Sequence, residues 1–141
     1  MTYKDKNNKE ARPMVIHRSS TGATERMIAF LLEKNQGSLP VWLSPIQAKL
    51  LSLTEINANA SKNIHEQLLK EGIRSEVDDD ESPVNGRIRD ALLMKIPYVI
   101  VIGDKDEKAK KISVRRRDGK VSSESTEEFI KMIKEEIKNR K

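Results

Sequence analysis

No cysteine occurs in the 141 residues. That excludes disulfides and any metal site built on thiolates, and it fits a reducing, cytoplasmic setting. No apolar run approaches the roughly 18 residues of a membrane-spanning helix, and no signal peptide opens the chain. Neither a membrane partner nor export is therefore expected. The sequence has no P-loop, no dinucleotide-binding glycine motif and no Ser-His-Asp arrangement. Internal repeats and low-complexity tracts are also missing. Histidine is limited to His17 and His65, which fall in different parts of the chain, so the residue chemistry alone gives little reason for a bound metal.

What the chain has in quantity is charge. Charged residues make up 35% and hydrophobic residues 36%, enough apolar material for one core and too much for a disordered chain. The length is that of about one ordinary domain. Residues 1–80 carry 11 basic and 11 acidic side chains, whereas residues 81–141 carry 16 basic and 11 acidic, so the whole net charge of +5 lies in the second part. Such a distribution suits a polyanionic partner, and equally a lysine-rich solvated surface.

Hydrophobic periodicity organises the rest. Residues 1–11 lack it and read as a mobile start or a turn. Met14-Val15-Ile16 reads as a short strand, and a helix follows from about Thr24, with Met27, Ile28, Leu31 and Leu32 on one stripe and Gly37 suited to a left-handed cap. Ser38-Leu39-Pro40 is a linker. Beyond Pro45 the pattern predicts a strand over 46–53, a helix over 58–71 stopped by Gly72, a strand over 73–77 and a helix over 84–95. A continuously apolar strand at 98–102, buried on both faces, comes next. The strand over 111–117 alternates, turning Ile112 and Val114 one way and Lys111, Ser113, Arg115 and Arg117 the other. Asp118-Gly119 marks a tight turn. The last helix opens on a capping box, Ser125-x-x-Glu128, and carries Phe129, Ile130, Ile133 and Ile137 inward. The order β-α-β-α-β-β-α implies an α/β fold with a mostly parallel sheet, helices on both faces, and a hairpin joining the third and fourth strands.

Three stretches could carry chemistry. Asp78-Asp79-Asp80 ends a strand, where α/β domains often bind ligands; it reads either as a Mg²⁺ or phosphoacceptor pocket or as a solvated acidic loop. VRRRDG, Val114 to Gly119, offers planar guanidinium forks suited to phosphates and base edges, or else a plain charged hairpin tip. GDKD, Gly103 to Asp106, is either a turn or a ligand loop beside those arginines.

Taken in order, VIHRSSTGATERMIAFLLEK, LPVWLSPIQ, GIR, GRIRDALLMKIPYVIVIGDKD and KKISVRRRDGK resemble the C-terminal part of the threonyl-tRNA synthetases, class II aminoacyl-tRNA synthetases, across about residues 12–139. The resemblance implies two parts. Residues 1–40 would be the strand-helix end of a catalytic domain plus a linker. Residues 41–141 would be an anticodon-binding domain with a mixed, mostly parallel sheet of five-stranded type flanked by helices.

By the same resemblance Gly22, Glu25 and Arg26 match the third class II motif, with Arg26 on ATP phosphates, and His17 matches a zinc ligand. Both roles belong to a longer enzyme whose other zinc ligands lie upstream, so the chain alone would hold no cofactor and would not aminoacylate. Asp106 and Arg115 would read the second and third anticodon bases of tRNA(Thr), G and U. Lys105, Arg117 and Lys120 would meet backbone phosphates. The expected partners are the anticodon loop and the catalytic domain of the parent synthetase, with no DNA. The chain departs from the family pattern at Ala23, usually a serine, at Asp106, usually a glutamate, and in the ESPVNG loop. A free-standing accessory paralogue is the alternative reading, followed by a small α/β signalling or metabolite-binding domain using Asp78 to Asp80.

Overall fold

The structure is a computed structural model that describes residues 1–20, 22–80, 82–104, 109 and 111–140. It divides into two compact units, Met1–Phe30 and Leu31–Lys141.

The first unit opens with a small antiparallel hairpin, β1 (Tyr3–Lys4) and β2 (Glu10–Ala11), where the sequence suggested only a mobile start or turn. Its loop is closed by Asp5, whose Oδ1 accepts from the backbone N–H of Asn7 at 2.8 Å and of Lys9 at 2.9 Å. The strand expected at Met14–Ile16 is absent, and these residues are exposed without regular structure. Three β-prone residues form a strand only when a neighbouring edge takes up their N–H and C=O groups, and no described strand pairs with them. Helix α1 (Thr24–Lys34) buries none of its side chains.

The second unit is built on one sheet of five strands: β3 (Ala48–Ser52), β4 (Ser75–Asp78), β5 (Tyr98–Ile102), β6 (Ile112–Arg116) and β7 (Val121–Glu124). Their order is β4-β3-β5-β6-β7. β4 and β5 lie parallel to β3, while β6 and β7 are antiparallel additions. Among the described residues three helices cover it: α2 (Ala58–Lys70), α3 (Val84–Leu93) and α4 (Thr126–Lys138). The chain moves from β3 out to β4 and then back past β3 to β5. Right-handed crossovers taken in opposite directions emerge on opposite faces, so α2 and α3 flank the sheet. With α2 and α4, Leu50, Ile100, Val114, Leu68, Phe129 and Ile133 form one core layer. With α3, Leu51, Val99, Ala91 and Ile96 form the other.

Candidate nucleic-acid interface

β6 delivers VRRRDG to the amino end of β5. Register pairs Arg115 with Val99 on one side and Val121 on the other. Facing side chains share a sheet face, so Arg115 stands on the α3 side together with Ser113 and Ser123. The apolar cluster beneath α3 draws on β3 and β5 and takes nothing from β6 or β7. Val121 is accordingly exposed, and Arg115 is only partly covered. Among the described residues its guanidinium makes no hydrogen bond or ion pair.

Arg116, turned to the other face, is occupied. Its guanidinium lies 5.6 Å from the Tyr98 ring centroid and 4.0 Å from Glu136 Oε1. Tyr98 packs edge-on against Phe129, with 5.3 Å between ring centroids, and its hydroxyl donates to Glu136 Oε2 at 2.6 Å. Burial, then the hydrogen bond and negative charge of Glu136, push the Tyr98 phenol far above its ordinary range. Arg117 donates its Nη1–H to the carbonyl of Leu39 at 2.8 Å. The turn over residues 117–119 is closed by Arg116 N–H donating to Lys120 O at 2.9 Å, with Gly119 at φ 88 supplying the left-handed residue of a three-residue hairpin. Lys120 is exposed and pairs at 3.4 Å with Asp118 Oδ2. Asp118 is held below its ordinary pKa, chiefly by the backbone N–H of Lys120.

VRRRDG thus splits into separate duties, and of its arginines only Arg115 makes no hydrogen bond or ion pair among the described residues. Lys105 and Asp106 lie outside the described residues. His17 and Arg26 belong to the first unit and are exposed. His65 instead joins Ser75, 2.8 Å between Nδ1 and Oγ. Among the described residues no group of three or more His, Asp or Glu could hold a metal ion.

The aspartate run is also divided. Asp78 sits on the α3 face between Lys49 Nζ at 3.1 Å and Arg87 Nε at 3.1 Å. Arg87 also donates to the carbonyls of Ser52 and Asp78. Burial raises the pKa of Asp78, but hydrogen bonds from Asp80 N–H and Lys49, with the charges of Lys49 and Arg87, outweigh it and hold the group below its ordinary value. Sequence reasoning did not find Lys49 and Arg87. The available signal was Arg87 four residues before Ala91, on the buried side of α3. Asp80 organises the following loop by accepting from Ser82 N–H at 3.0 Å and Ser82 Oγ–H at 2.9 Å. A cleft of about 660 Å³ opens here, lined by Ser52, Thr54, Lys62, Asp79, Asp80 and Val84 among others. It lies at the carboxyl ends of β3 and β4, where the chain departs to opposite faces of the sheet.

A five-stranded mixed sheet with helices on both faces and a basic hairpin at its antiparallel end is the setting in which the comparisons fall. The family model for the anticodon binding domain matches residues 41–136, and the chain belongs to that family. Within it, the similarity runs to threonine–tRNA ligases. The chain is 39% identical over 141 residues to the one from Clostridium botulinum (strain Hall) and 40% identical over 141 residues to the one from Aquifex aeolicus. Each alignment takes in 99% of this chain and 22% of the relative, so the chain spans about a fifth of the length of these curated proteins. Among solved structures, the RNA binding domain of threonyl-tRNA synthetase from Cryptosporidium parvum Iowa II superposes with a TM-score of 0.77 at 31% identity, covering 95% of this chain and 34% of that one. No helix among the described residues is long and apolar enough to cross a membrane.

Proposed function

We propose that the chain binds the anticodon loop of threonine tRNA as part of a threonine–tRNA ligase of the cytoplasm. The observation that carries this reading is Arg115, whose guanidinium has no partner among the described residues and stands on a sheet face where the apolar cluster takes nothing from β6 or β7, in a chain of the anticodon binding domain family. Arginine can donate twice to the O6 and N7 edge of guanine, and the bases of an RNA loop expose such edges where a helix would hide them. Asp106 would accept from a base N–H, and Lys105 and Lys120 would remain candidates for phosphates. In this reading residues 1–40 end the catalytic domain and residues 41–141 are the anticodon-binding domain. ATP and zinc would be held only in the longer ligase, with Arg26 and His17 contributing.

The test is fluorescence anisotropy with labelled anticodon stem-loops. The cognate loop carries G and U as its second and third anticodon bases, and a control loop carries others. Arg115→Ala should weaken cognate binding by about 1–3 kcal/mol and leave the control nearly unchanged. Equal binding of both loops by the unaltered chain would overturn the reading.

A further inference from the structure

Arginines from three separate elements converge on one short segment. Residues 39–44 form a single turn, in which the N–H groups of Leu43 and Ser44 each donate to Pro40 O at 3.0 Å. From the β6–β7 turn, Arg117 reaches a carbonyl 78 positions earlier, that of Leu39, at 2.8 Å. From the start of β4, Arg74 donates its Nη2–H to Trp42 O at 2.9 Å and to Ser44 O at 2.9 Å, and its Nε–H to Ser44 O at 3.1 Å. Beyond the end of α4, the Arg140 guanidinium lies 5.7 Å from the centre of the Trp42 ring. Fully buried Gln47 joins the set: its amide donates to Val41 O at 2.9 Å and accepts from Arg74 N–H at 2.9 Å.

A free tether would leave these carbonyls to water. Here they take charge-assisted hydrogen bonds, about twice as strong as neutral ones, from planar groups that cannot deprotonate. Arg117 is moreover fixed at its own backbone, where its N–H donates to Pro97 O at 3.2 Å.

We propose that Arg74 and Arg117 clasp residues 39–44 into a fixed strut leading into the sheet, and that Arg117 is a positioning residue for this strut rather than a contact to RNA. The inference goes beyond the RNA-binding reading and separates Arg117 from Arg115, although the two lie on the same strand and turn.

Trp42 is the only tryptophan in the chain, and chymotrypsin cuts after it only when the strut opens. The experiment measures chymotryptic cleavage at Trp42, acrylamide quenching of its fluorescence, and the salt dependence of stem-loop binding, in the unaltered chain and in Arg117→Ala and Arg115→Ala. For Arg117→Ala, cleavage should rise about tenfold, as expected from losing one hydrogen bond to a charged group, quenching should increase, and the salt slope should stay the same. Arg115→Ala should leave cleavage and quenching unchanged. Unchanged cleavage in Arg117→Ala, or a salt slope that falls by about one, overturns the proposal. Arg74→Gln tests the other end of the strut by the same readings should Arg117→Ala fail to fold. Cleavage and quenching need no RNA, so a failure of the RNA-binding reading is seen separately.

Discussion

At Asp78 a carboxylate on a sheet face does the work of a core residue. Its side chain and those of Lys49 and Arg87 are each about one-tenth exposed, at 10%, 11% and 7%. Removing the anion would leave two cations buried without it, so Asp78→Ala should destabilise the fold by about 3–5 kcal/mol, read by urea denaturation. The pH dependence has a definite sign. The folded pKa lies below the ordinary aspartate value of 3.8. The carboxylate's contribution is therefore complete above that value and is lost as pH falls through the lower folded one. Below about pH 4 the unaltered chain should lose stability more steeply than Asp78→Asn. At this scale the sequence was legible where alternation decides. It turned Arg115 and Ser113 to one face and Ile112 and Val114 to the other, as found. It was mute on Lys49 and Arg87, because a charged side chain reads as exposed until its partner is known, and the partner here lies on another strand.

The helices share a way of ending. In α1, α2 and α3 a residue just past the last turn takes a left-handed conformation: Gln36 at φ 51, Gly72 at φ 77 and Lys95 at φ 59. Each time its N–H bonds three residues back and the next N–H five back, to Leu32, Leu68 and Ala91 respectively. This is the Schellman arrangement, and glycine suits its left-handed position. Lys95 is exposed and bears the strain of a Cβ there. Lys95→Gly should therefore raise stability by about 0.5–1 kcal/mol in a thermal or urea melt, and a loss would contradict this. Elements with strong periodicity were legible, including the buried strand at 98–102 and the capping box at Ser125 and Glu128. The strand Val121–Glu124 was not, because VSSE has no apolar alternation and forms on the hydrogen bonds that β6 offers across the turn. Met14–Ile16 erred in the opposite direction, since propensity without an edge to pair with makes no strand.

At the scale of the whole molecule, the residues proposed for two different roles fall in different compact units. Arg26 and His17, proposed for the catalytic site of the longer ligase, are exposed in the unit Met1–Phe30, while Arg115, whose guanidinium has no partner among the described residues, and the basic hairpin belong to the unit Leu31–Lys141. The purified chain should therefore bind the cognate stem-loop and show no threonine-dependent ATP–pyrophosphate exchange; measurable exchange would sink that division. The edges of the sheet bear on a different matter. β4 and β7, the outer strands, are four residues long, and each carries acidic side chains, Glu76 and Asp78 on one and Glu124 on the other. Outer strands present unpaired backbone groups on which a second chain could grow. Strands this short and this polar offer little to such growth. The two outer strands thus carry the sheet's protection against pairing with a second copy of itself.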